Sequence, residues 1–151
     1  MTVQKWTNFS EDKFLDSTLL NLFADLDHSY FEWPWLTQDW IDLTAGQRKF
    51  LIVWISDEAL ALWELDNHPH AYLLKIMTKD SSRRKGLAGL IMNQSVIELK
   101  RLGFEDALLE VQIDNHKAIS FYNKHLWQPS RVIKAFYANG QDAQSMTLKI
   151  C

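Results

Sequence analysis

The chain has 151 residues, a formal net charge of −3, 47% hydrophobic residues and 13% aromatic residues, and a chain of that length can bury roughly two-thirds of its unfolded surface. The slight negative charge and the lack of a long basic run argue against general nucleic-acid binding. No apolar stretch approaches the roughly 18 residues of a membrane span, no N-terminal signal core is visible, and the single cysteine, Cys151, excludes an internal disulfide. We therefore expect one domain over residues 1–151, a cytoplasmic protein with no membrane partner, and a monomer or weak dimer.

Hydrophobic spacing in the first half of the chain predicts a strand, two helices and a three-stranded meander. Alternating apolar residues predict strands, and apolar residues three or four positions apart predict helices. Ser10 is a candidate N-cap of the first helix, with Glu11 and Asp12 in its first turn. The predicted elements are a strand over Thr2–Trp6, a helix with apolar positions from Phe14 to Leu26, a helix over Thr37–Leu43, and strands over Lys49–Ser56, Ala59–Leu65 and Ala71–Met77.

The second half predicts two helices that alternate with strands, followed by a hairpin. Gly103 is a C-terminal cap signal for the longer helix, and Asn139-Gly140 is a turn signal within the hairpin. The strand–helix–strand order over residues 71–111 is a crossover, so its two strands should be parallel within an α/β (α+β) fold. The predicted elements are a helix from Gly86 to Leu102, a strand over Ala107–Val111, a helix over Lys117–His125, and strands over Arg131–Tyr137 and Ser145–Ile150.

A loop with two glycines and three successive cations joins the last meander strand to the longer helix. Unpaired N–H groups at a helix start favour an anion, and Gly86 and Gly89 remove side chains that would hold a pyrophosphate away from the backbone. The P-loop and dinucleotide fingerprints are both absent. A cationic surface turn is the alternative interpretation of this loop. Its residues are Arg83, Arg84, Lys85, Gly86, Leu87, Ala88 and Gly89.

Four segments resemble one enzyme superfamily. Residues 83–88 fit the pattern Arg/Gln-x-x-Gly-x-Gly/Ala, which resembles that of the GCN5-related N-acetyltransferases (GNAT). Residues 109–122 resemble the Leu-Glu-Val-x-x-x-Asn-x-x-Ala-Ile-x-x-Tyr segment of the RimI-like ribosomal-protein-alanine N-acetyltransferases. Residues 33–35, Trp-Pro-Trp, and 135–137, Ala-Phe-Tyr, are similar to two further family segments.

The resemblance implies the GNAT acyl-CoA N-acyltransferase fold, a mixed and mostly antiparallel sheet flanked by helices with a splayed central pair of parallel strands. It implies that acetyl-coenzyme A is the cosubstrate and that the phosphate loop holds its pyrophosphate. The pantetheine arm would lie between the splayed strands, against the backbone of Ile76, Met77 and Thr78 and against Asn115. A backbone N–H near Met77 would polarise the thioester carbonyl.

Two residues match the family's acid and base. The resemblance implies that Glu110 is the general base and that Tyr122 is the general acid that protonates the departing thiolate. The alternatives are a solvent-facing Glu on a strand, a Tyr that packs the short helix, and an N-cap role for Asn115. His68-Pro69-His70 has no nearby cysteine or acidic cluster, so we expect no metal site.

The expected reaction is acetyl transfer to the N-terminal alanine of a small-subunit ribosomal protein, by direct attack in a ternary complex. The alternatives are the same chemistry on another peptide or a small amine, and a non-catalytic acyl-coenzyme A-binding module. The sequence departs from the family pattern at 112–114 and at Ala138, where the acceptor would lie, and at Leu126-Trp127, which replaces Gly-Phe.

Overall fold

The computed structural model describes residues 2–9, 15–31 and 33–151, and its elements follow the predicted order with one added 3-10 helix. The predicted cap Ser10, its acidic neighbours Glu11 and Asp12, and Phe14 lie outside the described residues. In the described part, the first helix begins after Asp16, whose side chain accepts a hydrogen bond from the Thr18 N–H at 2.7 Å. The elements are β1 Gln4–Thr7, α1 Ser17–Tyr30, α2 Thr37–Ala45, β2 Phe50–Ile55, β3 Ala59–Asn67, β4 His70–Thr78, the 3-10 helix Asp80–Ser82, α3 Leu87–Arg101, β5 Asp106–Gln112, α4 His116–Lys124, β6 Gln128–Ile133 and β7 Ala143–Lys149.

The seven strands form one mixed sheet in the order β1-β2-β3-β4-β5-β7-β6, in which only β4 and β5 are parallel. The expected fold class is confirmed. Helix α3 and Tyr122 of α4 pack into a core on one face of the sheet, and α1 and α2 pack into a second core on the other face. Both faces of β2 are therefore covered, and all six of its residues are buried, as expected for a strand that is apolar throughout.

A β-bulge in β4 changes which side chains face each core. Leu62 pairs with Lys75 and the next residue, Trp63, pairs with Leu73, so Leu74 is the extra residue. Before the bulge, Leu73 packs into the α3 core; after it, Met77 packs into the α1–α2 core. A bulge adds local twist and bends its strand, and this one lies just beyond the last residue of β4 that pairs with β5.

The strand predicted over Arg131–Tyr137 was placed too late, because β6 runs from Gln128 to Ile133. The chain leaves the sheet at Ala135, whose φ is 49° and whose N–H donates to Asp142 Oδ1 at 2.9 Å. Tyr137 consequently lies in the β6–β7 connection, where its side chain is free of the strand alternation.

Candidate active site

The central feature of the site is a gap between β4 and β5. The two strands pair only from His70 with Asp106 to Tyr72 with Leu108, although β4 continues to Thr78 and β5 to Gln112. Beyond Tyr72, one edge of β4 pairs with β3 and the other edge faces the gap. Because antiparallel pairing uses alternate backbone groups, the remaining N–H and C=O groups of β4 point into that gap.

Ile76, Met77 and Thr78 occupy this open part of β4, where the family resemblance implies contacts to the pantetheine arm. The Met77 side chain is buried at 5% exposure in the α1–α2 core, and Ile76 packs against the α3 core. These residues can therefore offer a ligand mainly their backbone groups. The geometry is that of a strand with a free edge, to which an extended chain can be added.

Within the predicted phosphate loop, Gly86 caps α3 with φ 74° and ψ 16°. Only glycine adopts this left-handed conformation without strain, and nothing lies within 4 Å of the position that a Cβ would take. Leu90 donates to the Gly86 carbonyl at 3.0 Å, which leaves the N–H groups of Leu87, Ala88 and Gly89 without acceptors inside the helix. This open cradle fits a pyrophosphate.

The structure gives a further reason for glycine at position 89, beside the expected approach of a pyrophosphate, which stays a prediction. A Cβ at this position would lie 3.0 Å from Cε1 and 3.2 Å from Nε2 of His125. The missing side chain thus makes room for the His125 ring, which also packs against Phe121 at 4.5 Å. Burial, with Lys124 as a second cause, lowers the pKa of His125, so the imidazole is neutral at pH 7.

The cations of the loop differ in how they are held. Arg83 pairs with Asp80 at 3.0 Å, and Lys85 lies 3.7 Å from Glu58 in the β2–β3 turn. Among the described residues Arg84 has no ion-pair partner, and it is exposed with φ 67°. Arg84 is therefore the loop cation whose charge is least compensated by the protein itself.

Glu110 lies on β5 beyond the last parallel pair, so it borders the gap. Its neighbours Leu109 and Val111 belong to the α3 core, and strand alternation places Glu110 on the opposite face. Burial raises the pKa of Glu110, while Arg131 partly opposes this shift. Its Oε2 atom is buried and accepts no hydrogen bond from the described residues, so the site can take a proton-donating ligand.

Tyr122 lies across the sheet from Glu110, on α4 and within the α3 core at 8% exposure. Burial, with Tyr137 as a second cause, raises the pKa of Tyr122 well above that of an ordinary tyrosine. Burial and the nearby Glu110 carboxylate raise the pKa of Tyr137 to about 12. Tyr137 thus lies near both the proposed acid and the proposed base.

Sequence reasoning assigned no site role to Trp33 or Tyr137, although both stand in segments that resemble the family. Their rings stack at 5.6 Å with an interplanar angle of 12°. The stack joins the α1–α2 connection to the β6–β7 connection beside Glu110. Trp33 is 42% exposed, and no local spacing in the sequence predicts its contact with Tyr137.

Asn115 is the N-cap of α4, since its Oδ1 accepts a hydrogen bond from the Ala118 N–H at 3.2 Å. This is the alternative role considered for it, and the exposed side chain leaves room for a ligand contact as well. Within residues 2–9, 15–31 and 33–151, no three His, Cys, Asp or Glu side chains form a metal-binding group. Over the same ranges, no helix has the length and apolarity needed to span a membrane.

Comparison with known sequences identifies the family. The sequence profile of the acetyltransferase (GNAT) family matches residues 18–126. This protein belongs to the GNAT family. The GNAT protein is 33% identical over 76 residues to an N-alpha-acetyltransferase of Saccharolobus solfataricus. The aligned residues make up 50% of this chain and 46% of that relative. The chain therefore matches about half the length of its curated relatives.

Two solved structures share the fold of this GNAT protein over nearly its whole length. The ribosomal-protein-S18-alanine N-acetyltransferase of Escherichia coli superposes with a TM-score of 0.78 at 19% identity and covers 99% of this chain and 94% of its own. Ard1 of Thermoplasma volcanium superposes with a TM-score of 0.81 at 15% identity and covers 99% and 97%. At these identities the likeness concerns the fold.

Proposed function

We propose that this GNAT protein transfers the acetyl group of acetyl-coenzyme A to the N-terminal α-amine of a polypeptide, by direct attack in a ternary complex. The observation that carries the proposal is the gap between β4 and β5, with Tyr122 on one face of the sheet and Glu110 on the other. Gly86 begins α3, which packs into the same core as Tyr122. The acceptor then approaches from the Glu110 side, beside the stacked rings of Trp33 and Tyr137.

Each residue of the site has a defined task in this reaction. Acetyl-coenzyme A supplies an activated acyl group as a thioester. Glu110 accepts a proton from the attacking amine, and its raised pKa makes it a stronger base than an ordinary carboxylate. Backbone N–H groups of β4 near Met77 donate to the carbonyl oxygen as it gains negative charge.

Tyr122 completes the transfer by donating its phenolic proton to the departing sulfur. Its raised pKa keeps the phenol protonated at neutral pH, so a proton is available when the thiolate forms. One proton thus passes from the amine to Glu110 and another from Tyr122 to sulfur. Solvent restores both groups after the products leave.

An α-amine suits this site better than a lysine side chain. With a pKa near 7.7–8.0, roughly a tenth of α-amines are neutral at pH 7, whereas a lysine with a pKa near 10.4 is almost fully charged. A single carboxylate base is therefore sufficient for an N-terminal acceptor. The relative from Saccharolobus solfataricus, named an N-alpha-acetyltransferase, supports the same choice.

The acceptor we propose is the N-terminal alanine of a small-subunit ribosomal protein. The support is the RimI-like segment at residues 109–122 and the fold shared with the Escherichia coli ribosomal-protein-S18-alanine N-acetyltransferase. The departures at 112–114 and at Ala138 lie around the acceptor side, so the acceptor is the part of the proposal that most needs a direct test.

The test is mass spectrometry of a peptide panel incubated with the protein and acetyl-coenzyme A. The panel carries alanine, serine, methionine or another residue first, with an internal lysine in every peptide and an α-blocked copy of each as control. We expect a gain of one acetyl group at the free α-amine and none on blocked copies. Acetylated lysine in the blocked copies would refute the N-terminal specificity, and calorimetric binding of acetyl-coenzyme A without transfer to any peptide would indicate a binding module.

A further inference from the structure

A buried ion pair lies between the cofactor strand and the first helix, outside the acid and base described above. Lys75 Nζ lies 2.9 Å from Asp27 Oδ1, and the two side chains are 6% and 0% exposed. Lys75 stands on β4 beyond the bulge at Leu74, immediately before the open-edge residues 76–78. Asp27 is in the last turn of α1.

Asp27 also holds the chain on both sides of the α1–α2 connection. Its backbone carbonyl accepts a hydrogen bond from the Phe31 N–H at 3.0 Å. Its Oδ2 accepts from the Trp35 N–H at 2.9 Å and from Trp40 Nε1 at 3.2 Å. The Lys75 ammonium lies 4.4 Å from the centre of the Phe31 ring and 5.5 Å from that of Trp35, within the range of cation–π attraction.

Trp33 lies between these two anchored positions, and its ring stacks on Tyr137. A continuous series of contacts therefore runs from Lys75 on the cofactor strand, through Asp27 and the anchored connection, to the aromatic stack beside Glu110. The pair touches neither the acid nor the base directly.

The energetics of a buried ion pair favour a positioning role over a purely stabilising one. Such a pair is often no more stabilising than apolar side chains of similar volume, because both charges lose their hydration. Its bonds are directional, however, and Asp27 uses both carboxylate oxygens on defined donors. Apolar replacements would fill the space without fixing the backbone at Trp35.

We propose that Asp27 and Lys75 are positioning residues that fix Trp33 against Tyr137 and so set the acceptor side of the site relative to the cofactor strand. The inference rests on the proposed function, since it assigns the Trp33–Tyr137 stack to the acceptor. It predicts that loss of the pair weakens acceptor use while cofactor binding is retained.

The experiment compares wild type with the double variant Asp27→Leu/Lys75→Met, which replaces both charges with apolar side chains. Lys5→Met is the matched control, because it removes the 2.6 Å ion pair of Lys5 with Glu98 elsewhere in the fold. All proteins are assayed at a temperature where circular dichroism shows them folded. We expect the double variant to raise the KM for the acceptor peptide about tenfold, with the calorimetric Kd for coenzyme A within about twofold of wild type.

Combining the double variant with Trp33→Ala distinguishes a positioning role of the ion pair from a general loss of stability. If the pair acts through Trp33, adding the double variant to Trp33→Ala should raise the acceptor KM little further. Additive effects, an unchanged KM, or an equal rise with Lys5→Met would overturn the proposal.

Amide hydrogen exchange gives a readout that needs no activity. The peptide covering residues 31–36 should exchange faster in the double variant than in wild type or Lys5→Met, while β2 and β3 stay protected. Unchanged exchange in this peptide would overturn the positioning proposal even in an active enzyme. If the wild type acetylates no peptide, the proposed function is refuted. If exchange in residues 31–36 is still faster in the double variant, the role of the ion pair in fixing the α1–α2 connection is retained.

Discussion

Glu110→Gln should lower the activity of the protein and raise its stability. The substitution keeps the size and shape of the side chain and removes its charge. As a base, Glu110 must be ionised to accept the amine proton, so we expect kcat/KM to fall at least about tenfold. The calorimetric Kd for acetyl-coenzyme A should change little, because Glu110 lies on the face of the sheet opposite Tyr122 and the α3 core.

The stability effect follows from the raised pKa of Glu110. A carboxyl group with a higher pKa in the folded state favours folding below its unfolded pKa, and this contribution is lost as the pH rises through its folded pKa. At pH 7.5 the ionised group therefore destabilises the folded state, by less than the roughly 1.4 kcal/mol per pKa unit of a fully buried group, because solvent screens the exposed part of the side chain. Removing the charge by Glu110→Gln should raise the Tm by about 2–4 °C for each kcal/mol added to the free energy of unfolding.

The pH profile distinguishes the base from the acceptor. Below about pH 8 the neutral fraction of an α-amine falls tenfold per pH unit, so log kcat/KM declines with a slope of one in both proteins. Below the pKa of Glu110 the wild-type slope should increase to two, whereas the slope of Glu110→Gln stays at one. Product is best quantified by mass spectrometry, because the exposed Cys151 reacts with thiol reagents for coenzyme A.

Glu105→Gln is the matched control, because Glu105 is an exposed carboxylate just before the same strand. Glu105→Gln should leave the slopes of the pH profile as in wild type, and it should change the Tm less than Glu110→Gln does. A rate for Glu110→Gln equal to that of wild type, or a second slope that persists in the variant, would show that another group accepts the proton. A lower Tm at pH 7.5 would contradict the reasoning from burial.

Tyr122→Phe should lower kcat at least about tenfold, since the departing sulfur loses its proton donor, with the Kd for coenzyme A unchanged in calorimetry; an unchanged kcat would remove the acid role. Arg84→Ala should raise the Kd for coenzyme A about tenfold. Arg83→Ala should raise this Kd less, because Asp80 already pairs with Arg83. Equal increases in Kd would mean that the ion pair with Asp80 does not weaken the contribution of Arg83 to coenzyme A binding. Leu126→Gly should stabilise the fold by about 0.5–1 kcal/mol, because Leu126 has φ 70° and is 74% exposed. Leu126→Ala is its control, since it keeps the strained Cβ, and a lower Tm for Leu126→Gly alone would refute the strain argument.

Local patterns were enough to predict the order of the elements and the position of the glycine that begins α3. A helix start is a property of consecutive residues, because it depends on which N–H groups lack acceptors and on a residue that tolerates positive φ. Gly86 meets both conditions in the structure. The parallel strand pair was likewise predictable, since a strand–helix–strand crossover leaves few alternatives. The catalytic roles of Glu110 and Tyr122 stay predictions.

The sequence by itself therefore determined the fold class and marked the residues predicted to form the anion cradle, the acid and the base. The tertiary structure decided how these parts face one another, because that depends on contacts between residues distant in the chain. Alternation along β4 would place Leu73, Lys75 and Met77 on one face, and only pairing with β3 reveals the bulge that moves the last two to the other. The stacking of Trp33 on Tyr137, more than a hundred residues apart in the chain, was decided in the same way, since no local spacing encodes it.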